Sequence, residues 1–271
     1  MTKLEYTFKT DTLFKMLFVK YPDLLKRLVV ELLSINYDSI EQFIITNPEM
    51  PPESMGDKFC RLDINMILDG QRVDLEIQVT DEGDYPERSL YYWAREFSTG
   101  LREGEGYAEL PRTIIINILA FEQFDCREFH SEFQTLEVTR HTLLTDKLSL
   151  HYYELPKLPN QITPTNRREL WLSLFKAETE EELAEIESME VPIMSEAVKA
   201  YRHVAASPEL REIERLRSKA RHDEAQALLN AERRGEEQAN IKWQSVVIEK
   251  DTILAEQAAL IAELRARLSS N

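Results

Sequence analysis

Residues 61–78, RLDINMILDGQRVDLEIQ, decide the fold of the central part of this chain. Polar and apolar residues alternate on both sides of the dipeptide Asp69-Gly70, which is a strong signal for a β-hairpin with a two-residue loop. With that loop, Leu68 lies opposite Gln71, and the register of both strands is fixed. The register predicts three polar cross-strand pairs: Asp63 with Glu76, Asn65 with Asp74, and Arg61 with Gln78.

These six polar side chains share one face of the predicted hairpin, because side chains alternate across a strand. Facing side chains lie about 5 Å apart at Cβ, so the carboxylates of Asp63 and Glu76 repel each other unless a cation lies between them. Mg²⁺ is usually held by one or two carboxylates together with water and substrate phosphate. The spacing therefore predicts a Mg²⁺ site, with Mn²⁺ as a substitute ion. A solvated strand face is the alternative, because half-exposed strands commonly show the same alternation.

Helical and extended patterns lie on both sides of the hairpin. Two amphipathic helices precede it, one capped by Thr10 or Asp11 and one beginning at Pro22. A strand in EQFIITNPE leads into the hairpin, and residues 86–102 follow it as a helix. Three further strands are predicted in RTIIINILAF, SEFQTLEVT and KLSLHYYEL, the first with the continuous apolar run of a strand covered on both faces. This order predicts an α/β domain with a mixed central sheet flanked by helices.

The C-terminal part of the chain has a different composition. The Pro-rich segment LPKLPNQITPT marks a boundary, so we predict a first domain over residues 1–160, a helical region over 161–207 and a long helix over 208–271. Within the helical region, helices are expected near 166–187 and 192–206. Apolar residues at seven-residue spacing near the end predict a short coiled coil and a homo-oligomer, although two of its d positions are polar. The a positions are Val247, Leu254, Ile261 and Leu268, and the d positions are Lys250, Gln257 and Leu264.

Composition restricts the class of protein. The chain has 271 residues and a net charge of −16, which weighs against nucleic-acid binding through a broad basic surface and requires a local basic strip instead. It contains no apolar run near the roughly 20 residues that span a bilayer, and its first residues lack a signal-peptide pattern. Cys60 and Cys126 have no metal or disulfide spacing, so we expect reduced cysteines in a cytoplasmic protein. No glycine-rich phosphate loop is present, and we expect no organic cofactor.

The helix after the hairpin provides such a basic strip. Arg88, Arg95 and Arg102 recur at seven residues and lie along one helical face, with Tyr91 and Tyr92 on or beside it. Guanidinium groups next to aromatic rings suit phosphate contacts and base stacking. In the alternative arrangement, neighbouring glutamates pair with these arginines and leave a solvated surface.

The chain resembles the Rpn family of recombination-promoting nucleases and putative transposases, which belongs to the PD-(D/E)XK nuclease superfamily. Three motifs carry the resemblance over most of residues 8–125. These are TDTLFKMLF, the pattern Asp63-x12-Glu76-x-Gln78, and ERSLYYWAREFSTGLREGEGYAELPRTIIINIL. The resemblance implies a restriction-endonuclease-like core and a Mg²⁺-dependent DNA endonuclease linked to recombination, mobile elements or defence.

The resemblance also assigns roles to residues. Asp63 and Glu76 become catalytic metal ligands, and Gln78 stands where the superfamily usually has a catalytic lysine. An amide only forms hydrogen bonds, so Lys15 or Arg61 would replace that charge, or turnover is slow. Lys15, Arg88 and Tyr92 are expected to bind DNA. Two alternatives remain: a nuclease fold without turnover that serves as an oligomeric binding module, and a protein whose coiled coil binds a partner.

Overall fold

A computed structural model describes residues 2–47, 64–101 and 103–269. The strands are β1 Phe43–Ile45, β2 Ile64–Leu68, β3 Gln71–Gln78, β4 Thr113–Leu119, β5 His130–Leu136 and β6 Leu143–Glu154. The helices are α1 Asp11–Lys20, α2 Pro22–Leu33, α3 Tyr85–Ser98, α4 Arg167–Lys176, α5 Glu180–Ser188, α6 Pro192–Ala205 and α7 Pro208–Ser269. The strands form one sheet in the order β1-β2-β3-β4-β6-β5. The β3–β4 and β4–β6 pairs are parallel and the others antiparallel, so the predicted mixed sheet is confirmed.

The hairpin between β2 and β3 has the predicted two-residue loop. Both loop residues have positive φ, 47° at Asp69 and 77° at Gly70, which Asp and Gly tolerate better than other residues. Oδ1 of Asp69 also accepts hydrogen bonds from the backbone N–H groups of Glu41 and Gln42, at 3.0 and 2.7 Å. The aspartate therefore ties the loop to the segment that leads into β1.

The register of the hairpin is the predicted one. Leu68 pairs with Gln71, and Asn65 pairs with Asp74. The two outer pairs, Asp63–Glu76 and Arg61–Gln78, each include a residue that lies outside the described ranges. They remain predictions.

The two faces of the sheet are covered by different layers. Val73 and Leu75 of β3 point into the main core, to which α1, α2 and α4–α6 contribute. The other face is covered by α3, whose Tyr85 packs against Ile115 of β4 and Tyr152 of β6. All seven residues of β4 are buried, as its continuous apolar run predicts.

The helix expected near 166–187 is in fact two helices. The chain leaves α4 in an extended conformation at Ala177, and the next residues form a β-bridge between Lys3 and Thr179. A capping box then starts α5, because the Thr179 side chain accepts from the N–H of Glu182 while the Glu182 carboxylate accepts from the N–H of Thr179. The glutamate-rich run ETEEELAEIE therefore begins the helix α5.

The chain divides into two compact units, Met1–Glu214 and Arg215–Asn271. The first contains the sheet, α1 to α6 and the start of α7, since α4–α6 share the core with the sheet. The second is the remainder of the long helix α7. The boundaries predicted near residues 160 and 207 remain sequence-based predictions. In the ranges that the structure describes, none of the helices combines the length and apolarity that crossing a bilayer requires.

Candidate active site

The candidate site lies on the face of β3 that α3 covers. Asp74, Glu76 and Gln78 alternate with core residues along the strand, and their exposed fractions are 4%, 4% and 9%. Burying an ionised carboxylate is costly unless it is hydrogen bonded or faces a cation. Two buried acidic side chains on one strand face are therefore typical of a site that receives a positive charge.

Glu76 is hydrogen bonded to α3 and lies beside β4. The hydroxyl of Tyr85 lies 3.1 Å from Oε2 of Glu76 and 2.8 Å from Oδ1 of Asn117. Asn117 is the register partner of Glu76 on the neighbouring parallel strand, and its Nδ2 donates to the carbonyl of His151 at 2.9 Å. Tyr85 and Asn117 are both fully buried.

Sequence reasoning missed Tyr85 and Asn117. Asn117 is a polar residue inside the apolar run IIINIL, and that interruption was the available signal. Tyr85 stands directly before Pro86, at the N-terminal end of α3, where it could have been singled out only by knowing which strand α3 packs against.

Asp74 and Gln78 have different surroundings. Asp74 lines a cavity of about 110 Å³ together with Asn65, Arg72, Glu96 and Thr113. The amide nitrogen of Gln78 donates to the carbonyl of Thr80 at 2.8 Å, which fixes the orientation of the amide. The two side chains thus lie at opposite ends of the site, with Glu76 between them.

Arg72 holds α3 over this face. Its Nη1 donates to Oγ1 of Thr99 at 2.7 Å and to the carbonyl of Glu96 at 3.1 Å, and it forms an ion pair with the Glu96 carboxylate at 3.3 Å. Nη2 donates to the carbonyl of Thr99 at 3.2 Å. Because these carbonyls belong to the last turn of α3, the arginine caps the helix and sets its distance from the sheet.

Arg88 occupies the α3 side of the site. Its Nη1 is hydrogen bonded to the carboxylate of Glu82, and its guanidinium carbon lies 4.7 Å from the centre of the Tyr85 ring. Nε and Nη2 are buried, and neither has a hydrogen-bond partner among the described residues. Unsatisfied buried donors are costly, so this guanidinium is suited to receive an anionic oxygen.

The rest of the predicted basic strip is less uniform. Arg95 is exposed, and Arg102 lies outside the described residues. Tyr91 is 63% exposed, whereas Tyr92 is half-buried, and their ring centres lie 6.0 Å apart. Of the glutamates considered as partners, Glu96 pairs with Arg72.

Lys15 lies in a different layer from Glu76. It belongs to α1, whose apolar residues pack into the core on the opposite side of the sheet from α3, and it is 2% exposed. The structure therefore brings Asp74, Glu76 and Gln78 together on one strand and places Arg88 over the ring of Tyr85, whose hydroxyl contacts Glu76. Asp63 and Arg61 lie outside the described ranges.

The donor atoms of the site suit a hard divalent cation. Carboxylate and amide oxygens are the ligands that Mg²⁺ and Mn²⁺ prefer, and Asp74, Glu76, Gln78 and Asn117 supply them on two neighbouring strands. Among the described residues, no three acidic, histidine or cysteine side chains come close enough to enclose an ion by themselves. Because Mg²⁺ is usually held by one or two carboxylates, the site fits that ion.

A second buried polar cluster lies on the opposite face of β6. Nε2 of His130 lies 3.1 Å from Nδ1 of His151, and Nε2 of His151 lies 2.9 Å from the hydroxyl of Ser149. Burial lowers the pKa of His151 to about 4 and also lowers the pKa of His130. Both imidazoles are therefore neutral at pH 7.

The chain was compared with protein families and with known proteins. A family model described as PD-(D/E)XK nuclease family transposase matches residues 8–231. This range includes the whole sheet, α1 to α6 and part of α7. No significant match to a curated protein or to a solved structure was found.

Proposed function

Because this chain belongs to the PD-(D/E)XK nuclease family of transposases, we propose that it is a metal-dependent endonuclease that hydrolyses phosphodiester bonds in DNA. Membership confirms the resemblance and the nuclease fold predicted from the hairpin motifs. The observation that carries the proposal is Glu76, a buried carboxylate on the hairpin face whose Oε2 is hydrogen bonded to Tyr85.

In this proposal Asp63 and Glu76 hold the ion, and Asp74 supports it from the neighbouring position on β3. A bound Mg²⁺ would polarise the scissile phosphate and lower the pKa of the attacking water. The amide nitrogen of Gln78 is committed to Thr80, so its oxygen Oε1 orients the water molecule. Gln78 cannot supply the positive charge of a lysine.

Arg88 is the described residue best placed to supply that charge. Its two buried donors Nε and Nη2 would bind a non-bridging phosphate oxygen beside the metal site. Tyr92 would stack on a base or sugar from the same helix. Lys15 is not among the proposed DNA contacts, because it is 2% exposed in the layer of α1 on the other side of the sheet.

Plasmid cleavage tests this assignment. With Mg²⁺ or Mn²⁺, the wild-type protein should nick or cut supercoiled plasmid, and Glu76→Ala should lower the rate at least about 100-fold, as loss of a catalytic electrostatic group does. Glu132→Ala, which removes a carboxylate from the opposite face of the sheet, is the control and should cleave like wild type. Equal cleavage by wild type and Glu76→Ala would refute the proposal.

A second candidate function is DNA or protein binding without turnover. The glutamine at position 78 favours it, because its amide is tied to Thr80 and cannot act as a general acid or a cation. In that case the protein would bind DNA in a gel-shift assay but leave plasmid uncut at every Mg²⁺ and Mn²⁺ concentration. Restored cleavage in Gln78→Lys would support this second function.

We also propose that α7 joins two or more copies of the chain. Val247, Leu254 and Ile261 are 53%, 61% and 51% exposed at seven-residue spacing, and a second copy would cover them. Two joined nuclease domains suit cutting both strands of a duplex. Replacing all three residues by serine should lower the mass measured by light scattering to that of a monomer, while Glu249→Ser with Glu256→Ser on another face should not. If the triple variant keeps the wild-type mass, α7 does not join the copies. Binding of a different protein partner would then explain the exposed apolar residues of α7.

The cellular role is part of the proposal and follows from the family. Breakage of DNA linked to recombination, mobile elements or defence is the expected role, in the cytoplasm. In the described part of the chain, Cys126 is a free, exposed cysteine, which suits a reducing compartment.

A further inference from the structure

One buried aromatic residue contacts two of the residues that the proposed reaction needs. The hydroxyl of Tyr85 is within hydrogen-bond distance of Glu76, and its ring face lies under the guanidinium of Arg88. Tyr85 is fully buried and is the first residue of α3. The proposed metal ligand and the proposed phosphate ligand are thus connected through a single side chain.

Asn117 fixes the third side of this arrangement. Its Nδ2 donates to the carbonyl of His151, so the amide cannot rotate without losing that bond, and Oδ1 is turned towards Tyr85. The parallel register places Asn117 directly beside Glu76. The phenol oxygen therefore lies between two acceptors whose positions are set by the sheet.

This geometry restricts the carboxylate of Glu76. The Tyr85 hydroxyl carries one proton and lies within hydrogen-bond distance of both acceptors, 3.1 Å from Glu76 and 2.8 Å from Asn117. The hydrogen bond engages Oε2 and so limits the rotation of the Glu76 carboxylate. A cation over a ring face is attracted to the ring, which keeps Arg88 stacked on the same tyrosine.

We propose that Tyr85, oriented by Asn117, is a positioning residue that holds Glu76 in its metal-binding conformation. This inference rests on the proposed function, because it takes Glu76 to be a metal ligand. Partners that orient metal ligands typically change metal affinity 10–100-fold when they are removed. We therefore expect the dissociation constant for Mn²⁺ to rise by about 10–100-fold in Tyr85→Phe.

Binding of Mn²⁺ alone to the full-length chain, without DNA, provides the test. Electron paramagnetic resonance measures the free ion, because the sharp signal of aqueous Mn²⁺ is lost on binding. Four proteins are compared: wild type, Glu76→Gln, Tyr85→Phe and Tyr152→Phe. Tyr152 is the matched control, because it is a buried tyrosine on the same face whose hydroxyl is hydrogen bonded to Ser89.

The expected result is weak Mn²⁺ binding in Tyr85→Phe, none at the site in Glu76→Gln, and wild-type binding in Tyr152→Phe. DNA binding in the presence of a chelator should stay unchanged in Tyr85→Phe, because the phenyl ring still supports Arg88. Wild-type Mn²⁺ affinity in Tyr85→Phe, with binding lost in Glu76→Gln, would overturn this inference and leave the proposed function standing. Equal losses in Tyr85→Phe and Tyr152→Phe would overturn it as a packing effect. Absence of Mn²⁺ binding in wild type would overturn both.

Discussion

Both faces of the sheet contain buried polar groups, but the hydrogen bonds and charges of these groups differ between the faces. On the α3 face, Asp74 and Glu76 are buried acidic side chains. Arg88 stacks on Tyr85, the hydrogen-bond partner of Glu76, and its buried donors Nε and Nη2 lack partners among the described residues. On the opposite face, His130 and His151 are hydrogen bonded to each other, His151 is also hydrogen bonded to Ser149, and neither imidazole is charged at pH 7.

The difference separates a site for ligands from a part of the core. A charge kept in a buried position lowers stability and is retained where it serves binding or catalysis. The histidine pair instead remains neutral, because burial lowers the pKa of both rings below the ordinary value of 6.5. The buried polar groups on the two faces of the sheet therefore serve different ends, and substitutions on the two faces should affect stability to different extents.

Leu75 and Glu76 are adjacent in sequence, and their substitution should give the largest difference in stability between the two faces. Leu75 is fully buried in the main core, so Leu75→Ala should lower the free energy of unfolding by about 2–5 kcal/mol. Glu76→Gln keeps the side-chain volume and removes a buried charge, so the free energy of unfolding without metal should change by less than about 1 kcal/mol. Urea unfolding followed by circular dichroism measures both. A loss above 2 kcal/mol in Glu76→Gln would show that the carboxylate stabilises the fold, which would weaken its assignment to the site.

The histidine pair should make stability depend on pH. Burial, with the charges of His130, Arg112 and Arg168, depresses the pKa of His151 from 6.5 to about 4, while Glu132 acts in the opposite direction. Between these two values the unfolded chain binds more protons, so the free energy of unfolding should fall by about 3 kcal/mol as the pH drops from 7 to 4. No change is expected from this group above pH 6.5.

The variant His151→Gln isolates the contribution of His151 to this pH dependence. It keeps hydrogen-bonding atoms next to Ser149 and His130 but does not titrate, so part of the slope between pH 6.5 and 4 should disappear. Urea unfolding at half-unit steps of pH measures the slope. An unchanged slope in His151→Gln would show that other groups, such as the carboxylates, dominate acid unfolding.

The sequence predicted local features of both faces but not how they meet. The register of the hairpin followed from Asp69-Gly70 and the alternation around it, because turn type and pleat are properties of neighbouring residues. The buried run of β4 was predictable for the same reason. The contact of Tyr85 with Glu76, and the contact of His130 with His151, depend on which elements pack together, and no local pattern contains that information.

The layer of Lys15 illustrates the same limit. The family resemblance implied that Lys15 lies near the site, yet α1 packs on the main-core side of the sheet, opposite α3. The split between α4 and α5 also depends on a distant residue, because Lys3 forms a bridge with Thr179 where a continuous helix was expected.

The smallest expected effect concerns the two arginines of α3 that the structure describes. Arg88→Met keeps the aliphatic stem. It removes two unsatisfied donors and one hydrogen bond to the exposed carboxylate of Glu82, so the free energy of unfolding should change by less than about 1 kcal/mol. If Arg88 binds a phosphate, the slope of log K for DNA against log salt concentration should fall by about one in this variant. Arg95→Met, at the exposed position seven residues later, is the matched control and should keep the wild-type slope. Fluorescence anisotropy with a labelled duplex between 50 and 200 mM salt, a range over which phosphate contacts alter affinity strongly, measures both slopes. A lower slope in Arg95→Met alone would move the DNA contact to the exposed side of α3, and the buried guanidinium would then belong with the structural groups of the opposite face.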